Sequence, residues 1–303
     1  MSAATPILDT PATAALERLS GARATGRPCA PVRTLLPDGD IGAAYAVQAA
    51  WVAGQVAAGD SVVGRKIGLT SPAVQAQLGV GQPDFGTLLA TMACPPGEPV
   101  DIGRLLQPRI EAEVAFVLER DLDGPDISPD DVLAATGSIA AALEIVDSRI
   151  AGWDISIVDT VADNASSGLF VVGPEHRPPG GLDLTACPMR LRRGEEEVSA
   201  GSGAACLGHP AVAVAWLASA ARSYGQPLRA GEIVLSGALG PMVPVRAGDR
   251  FTAVIGGLGR VTAWFGGSPG AAGRGAGAEL SRPQRPQLDP VPDRVRAAGA
   301  GPR

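Results

Sequence analysis

Two glutamates at spacing two, Glu111 and Glu113, stand near the start of the apolar run Arg109-Ile110-Glu111-Ala112-Glu113-Val114-Ala115-Phe116-Val117-Leu118. The β-branched and aromatic content of this run predicts a strand over 108–118. In an extended chain residues 111, 113, 115 and 117 share one face, so the carboxylates lead into an inward-facing Ala115 and Val117. Their Cα atoms would lie roughly 6.5–7 Å apart. Alone, such a pair fits a solvated strand face as well as a ligand pair. Two anions half-withdrawn from water repel each other unless something positive lies between them, and a divalent cation is the simplest candidate. A third carboxylate, Glu144, sits in a second strand-like run, Ala141-Ala142-Leu143-Glu144-Ile145-Val146-Asp147, where burying it unpaired would be costly. Neither strand is read as offering a competing cation. Three carboxylates without His or Cys supply hard oxygen donors, which suit Mg²⁺ or Mn²⁺ better than Zn²⁺.

Of the 25 basic residues, Lys66 is the single lysine and the other 24 are arginines. It lies in the apolar stretch Val62-Val63-Gly64-Arg65-Lys66-Ile67-Gly68. An ammonium can lose its proton near neutral pH when desolvated, which a guanidinium effectively cannot, so Lys66 is a candidate for proton transfer. Asp84 sits in the Gly- and Pro-rich stretch Gly79-Val80-Gly81-Gln82-Pro83-Asp84-Phe85-Gly86. That stretch reads as a loop, and a solvated turn aspartate is the simpler reading of Asp84.

The elements that would position these residues follow from local pattern. A helix is predicted over Thr13–Ala24 with Leu16 and Leu19 on one face, and a second after Asp40 carrying Ile41, Tyr45, Trp51 and Val52. A strand over 62–68 is followed by Ser71-Pro72, the opening of a short helix ending near Gly79. Ser128-Pro129-Asp130-Asp131 starts another helix with capping-box spacing. Residues 158–168 are polar and turn-prone and lead into a strand at Leu169–Val172. Residues 188–199 form an exposed hairpin. Gly208-His209-Pro210 opens a helix that ends near Gly225, with His209 as a cap. Strands follow at Ile233–Ser236 and Met242–Val245, then a hairpin from Arg250 to Phe265.

Several function classes are excluded by composition. A net charge of −6 argues against nucleic-acid or anionic-membrane surfaces. Cys29, Cys94, Cys187 and Cys206 are scattered, which suits a reducing cytoplasm. No signal-peptide pattern and no apolar run of 18 residues is found. There is no nucleophile elbow, no H-E-x-x-H and no P-loop, and Gly256-Gly257-Leu258-Gly259 lacks dinucleotide-site spacing. Residues 268–303 hold 12 Gly or Pro and no aromatic residue, as expected of a disordered tail.

Seven ordered segments resemble the 2-keto-4-pentenoate hydratase branch of the fumarylacetoacetate hydrolase-like superfamily. They are Gly64–Ser71, Gln82–Gly86, Leu106–Glu113, Leu143–Arg149, Val161–Ser166, Cys206–Pro210 and Ser236–Val243. The resemblance covers roughly residues 10–267. It implies an α+β fold: a mixed β-roll-like core of the fumarylacetoacetase C-terminal type over 61–267, with a helical part over 1–60 packed on it. It makes Glu111, Glu113 and Glu144 the ligands of Mg²⁺ or Mn²⁺, and Lys66 and Asp84 an acid–base pair. Leu69, Asn164 and Ser166 would face the substrate. The implied reaction adds water to 2-hydroxypenta-2,4-dienoate, giving 4-hydroxy-2-oxopentanoate in aromatic meta-cleavage. A ring-like homo-oligomer, pentamer or decamer, and association with a pathway enzyme are also implied. The alternatives are a 4-oxalocrotonate decarboxylase, an acylpyruvate C–C hydrolase, and a non-catalytic partner in a hydratase–decarboxylase complex. Two departures stand out: Asp147, where some hydratases carry Gly, and the tail beyond Gly267.

Overall fold

The computed structural model describes residues 7–71, 75 and 81–266. Its elements begin with helices α1 (Thr10–Thr25) and α2 (Ile41–Ala57), then strands β1 (Val62–Gly68), β2 (Asp84–Leu89), β3 (Pro99–Asp101) and β4 (Arg109–Leu118). Helix α3 (Pro129–Ala135), β5 (Thr136–Val146), α4 (Ile157–Ala162), β6 (Ser167–Val172), β7 (Pro188–Arg193) and β8 (Glu196–Ser202) follow. The last are α5 (Pro210–Ser223), β9 (Ile233–Leu235), β10 (Val243–Pro244), β11 (Arg250–Ile255) and β12 (Gly259–Gly266).

The strands form two mixed sheets. One runs β2-β1-β9-β4-β5-β6, with β10 also paired to β4; the other runs β3-β12-β11-β7-β8. The long antiparallel ladder between β4 and β5 is the spine of the first sheet. β5 is buried along nearly its whole length because β11 and β12 of the second sheet pack over it. A strand covered on both faces needs a continuous apolar run, which Ile139-Ala140-Ala141-Ala142-Leu143 supplies. Glu144 at the end of that run is therefore an exception that something must compensate.

The N-terminal helices are set by their caps and inner faces. Asp9 accepts from the Ala12 amide at 2.9 Å, and Ala12, Ala15, Leu19 and Ala22 turn inward along α1. Asp40 caps α2 through the Ala43 amide at 2.9 Å, as its position predicts. α2 then fixes the start of β2. Gln48 donates to the Phe85 and Val161 carbonyls at 3.0 and 2.9 Å, and the Tyr45 ring stacks on Phe85 with centroids 4.5 Å apart.

Two sequence readings are corrected. Asp84-Phe85-Gly86 is strand rather than loop: Asp84 pairs with Gly68 and Gly86 with Lys66 in the β1–β2 ladder, and Asp84 is buried. A sheet partner supplied by β1 outweighs the loop-like composition. Ile157–Ala162, which overlaps the turn-prone stretch 158–168, is helical, and the Asp159 carboxylate accepts from the Ser156 amide at 2.9 Å. The short helix expected after Ser71-Pro72 falls mostly outside the described residues, as does the tail from residue 267.

Behind the first sheet lies a buried ion network. The Arg149 guanidinium donates through Nε to Asp163 Oδ1 at 2.6 Å, and its backbone amide donates to Oδ2 at 2.9 Å. Arg23 of α1 donates to the same Oδ1 at 2.9 Å and lies 4.2 Å from the centre of the Trp51 ring. Asp163 is fully buried, so truncating it takes the nearest anion from Arg23 and leaves Arg149 with only Asp147, at 3.5 Å. We expect Asp163→Ala to lower the unfolding free energy by about 3–5 kcal/mol, read as a reduced urea midpoint at unchanged slope.

Candidate metal centre and active site

Glu111 lies directly opposite Glu144 in the β4–β5 ladder, and Glu113 stands two residues along on the same face. Like charges directly opposite across a ladder destabilise the pair, yet carboxylate oxygens of all three residues lie within 4.8 Å of one another. Glu113 and Glu144 are buried, and Glu111 opens onto a cavity. The Gly237 amide donates to Glu113 Oε2 at 2.7 Å. Glu113 Oε1 and both Glu144 oxygens have no hydrogen-bond partner although buried. Burial raises all three pKa values; the neighbouring glutamates add to the rise at Glu113 and at Glu111, which reaches about 7, whereas at Glu144 Lys66 opposes it. An all-oxygen donor set with unpartnered buried oxygens fits a hard dication.

Lys66 enters the cluster from β1. Its Nζ lies 3.1 Å from Glu144 Oε1, without hydrogen-bond alignment, and donates to the Ala165 carbonyl at 2.9 Å. Burial alone would lower its pKa, but Glu144, Asp84, Glu111 and Glu113 together raise it above the ordinary lysine range. The lysine is thus held as an ammonium by the carboxylates, the opposite of the depressed lysine that its apolar sequence context suggests.

Asp84 faces Lys66 across Gly68. A Cβ at Gly68 would collide with Asp84 Oδ1 and lie 3.5 Å from Lys66 Nζ, so glycine leaves both side chains their space there. The Thr160 hydroxyl donates to Asp84 Oδ2 at 3.1 Å and lies 3.3 Å from the Ser166 hydroxyl. Asp84 Oδ1 is buried and unpartnered. Desolvation raises the Asp84 pKa, while Lys66 opposes the rise.

The turn after α4 completes this wall. Asn164, Ala165 and Ser166 all adopt positive φ, at 58°, 51° and 52°. Three consecutive left-handed residues without a glycine cost about 1–2 kcal/mol each, so their surroundings must hold them. The Asn164 amide brackets the Thr87 backbone, accepting from its N–H at 2.8 Å and donating to its C=O at 2.9 Å. A Cβ at Gly86 would collide with the Asn164 carbonyl. Asn164 is buried and its amide faces β2, whereas Ser166 lines the cavity. Leu69, itself at φ 59°, lines the cavity from the other side.

The cavity holds about 700 Å³ and brings together Lys66, Leu69, Asp84, Glu111 and Ser166. It also shows what the residue pattern did not: Thr160, Arg109 and Trp153 are wall residues. The Arg109 guanidinium lies over the Trp153 ring, 4.5 Å from its centre. Strand alternation places Arg109 on the face of Glu111, so β4 does carry a cation two residues from a carboxylate, contrary to the expectation that neither strand offers one. Among the described residues no carboxylate lies within ion-pair distance of it, so it does not neutralise the cluster.

Residues 62–265 match the family model described as fumarylacetoacetate (FAA) hydrolase C-terminal. A 2-keto-4-pentenoate hydratase 1 from Dechloromonas aromatica (strain RCB) is 55% identical over 86% of this chain and 98% of its own length. A TodF product hydratase from Pseudomonas putida F1 is 51% identical over 85% and 98%. Among solved structures, 4-oxalocrotonate decarboxylase from Pseudomonas putida G7, complexed with magnesium and adipate, superposes with a TM-score of 0.80. It is 35% identical and covers 84% of this chain and 97% of that one. The chain belongs to the fumarylacetoacetate hydrolase C-terminal family.

Proposed function

We propose that the chain is a metal-dependent hydro-lyase that adds water to 2-hydroxypenta-2,4-dienoate and yields 4-hydroxy-2-oxopentanoate. The observation that carries this reading is the buried Glu111–Glu113–Glu144 cluster with unpartnered oxygens, facing Lys66 and Asp84 at a cavity of small-molecule size. The hydratase names of relatives at 51–55% identity support the reaction, and the related decarboxylase solved with magnesium supports a divalent ion.

Glu111, Glu113 and Glu144 would hold Mg²⁺ or Mn²⁺. When bound, such an ion supplies Lewis acidity that stabilises negative charge on the C2 oxygen of a 2-hydroxydienoate. The residues of the chain handle the protons. Ketonisation removes a proton from the C2 hydroxyl and delivers one to C5, leaving a C3–C4 double bond conjugated to the ketone. Water then adds with its oxygen at C4 and a proton at C3. Asp84, with a free Oδ1 and a raised pKa, suits uptake and return of a proton. Lys66, held as an ammonium, suits donation toward developing oxyanion charge. Leu69 and Ser166 line the space where the carbon chain would lie, and Asn164 fixes the turn that carries Ser166. Assembly into a homo-oligomer belongs to the same reading.

A decarboxylase reading is favoured by the superposition with 4-oxalocrotonate decarboxylase. The higher identity to hydratases outweighs it, and release of CO₂ from a dicarboxylate substrate would reverse that order.

Lys66→Met is expected to lower kcat by about 10²–10⁴-fold, followed through loss of diene absorbance; a kcat near wild type would remove Lys66 from the chemistry. A second expectation comes from the carboxylates. The metal-free folded state keeps protons on the cluster that the unfolded chain releases between about pH 4.5 and Glu111's value of about 7. Its stability therefore falls as pH rises through that window. A dication takes the place of those protons. Chelator-treated protein should lose turnover and recover it with Mg²⁺ or Mn²⁺. The gain in thermal midpoint on adding the ion back should be larger at pH 8 than at pH 6. Full turnover after chelation would refute the metal role.

A further inference from the structure

Arg109 opens β4 two residues before Glu111 and on the same face of the strand. At strand rise its Cα lies roughly 6.5–7 Å from that of Glu111, and both residues line the cavity. Its guanidinium is positioned before any ligand arrives. The Trp153 ring supports it at 4.5 Å, and the indole is itself pinned by its Nε1 donating to the Gln107 carbonyl at 3.0 Å. Gln107 anchors the rest of that support. Its side chain accepts from the Gly152 amide at 2.8 Å and donates to the Ser148 and Ile150 carbonyls at 2.9 and 2.8 Å. A 3₁₀ turn held this way, with Gly152 and Trp153 at φ 66° and 58°, is a strained support for a single cation.

That cation is unspent. Among the described residues its only polar side-chain contact is the Met242 sulfur, at 3.9 Å from Nη1. The other cation of the cavity, Lys66, is already engaged by Glu144 at 3.1 Å and the Ala165 carbonyl at 2.9 Å. We propose that Arg109, seated on Trp153, is the carboxylate-binding subsite of the cavity and takes the C1 carboxylate of the 2-oxo or 2-hydroxydienoic acid. This rests on the hydratase reading above. The chemistry is that of a charge-assisted hydrogen bond between guanidinium and carboxylate, which guides the acid end toward the Glu111 side of the site and leaves the diene to Leu69 and Ser166.

The test uses the full-length protein with Mg²⁺ and compares wild type, Arg109→Met, Arg109→Lys and Trp153→Leu. Two substrates are used: 2-hydroxypenta-2,4-dienoate and an analogue bearing a second carboxylate at the far end. Arg109→Met should raise KM for both substrates by about 10- to 100-fold, with kcat falling far less. Arg109→Lys should recover part of the loss, and Trp153→Leu should raise KM by less than Arg109→Met. Binding of oxalate, measured by calorimetry, should weaken in parallel. An Arg109→Met KM within twofold of wild type overturns the subsite. So does a rise confined to the dicarboxylate, which would assign Arg109 to the far end of the substrate. So does a lowered thermal midpoint in Arg109→Met with oxalate affinity unchanged, since that is a purely structural role. Absence of turnover by wild type on the first substrate would instead sink the hydratase reading, and oxalate binding would still report on Arg109.

Discussion

Mutual repulsion among three carboxylates is the constraint to which the rest of the molecule answers. At separations within 4.8 Å, each charged pair costs about 3–4 kcal/mol at an effective dielectric of roughly 20. Three such pairs rival the whole stability of an ordinary domain, about 5–15 kcal/mol. The fold cannot keep them all charged and uncompensated. It has three ways out: the ammonium of Lys66, protons retained on the glutamates, and a dication. The first is built in, because Lys66 lies 3.1 Å from Glu144. The other two would exchange with each other, so a dication bound here would compete with protons.

Holding that arrangement requires backbone features with no packing role of their own. Gly68 leaves room for Asp84 to face Lys66, and Gly86 lets the strained 164–166 turn lie against β2. That turn presents the Ala165 carbonyl to Lys66 and the Ser166 hydroxyl to Thr160. Its left-handed residues persist because Asn164 is clamped to Thr87 and because Asp163, just before the turn, is locked to Arg149 and Arg23. A buried ion network on one side of the turn thus stabilises strain that serves a second buried charge cluster on the other.

Much of this was legible in the residue pattern, and what was missed has a common cause. Apolar periodicity marked β1, β4 and β5, and helix caps marked α2 and α3, because those signals are local. Carboxylates set in apolar strands marked the triad, since a buried charge is improbable without a partner. Asp84 was legible only through resemblance: its loop-like neighbours hid a strand whose partner, β1, lies in a separate segment. Arg109, Thr160 and Trp153 were missed as wall residues for a related reason. Each looks ordinary in its own segment, and its role appears only when β4, α4 and the 151–153 turn converge on one cavity. The Asn164 amide shows the reverse case, where a residue in a site-proximal motif is spent on the backbone.

The lone lysine in an arginine-rich chain can be understood from donor arithmetic. Lys66 is 2% exposed, so every N–H it carries must find an acceptor within the protein or a ligand. An ammonium has three, and Glu144 and Ala165 lie within reach of two of them. The third remains for a bound oxyanion. A guanidinium would bring five donors in a rigid plane to the same space. It would also fix the positive charge permanently, whereas an ammonium can surrender a proton when the carboxylates around it are neutralised. Arginine serves where charge must stay put, as in Arg149 on Asp163 and Arg109 on Trp153. The position at which a compact charge sits beside the glutamate cluster is the one that carries lysine.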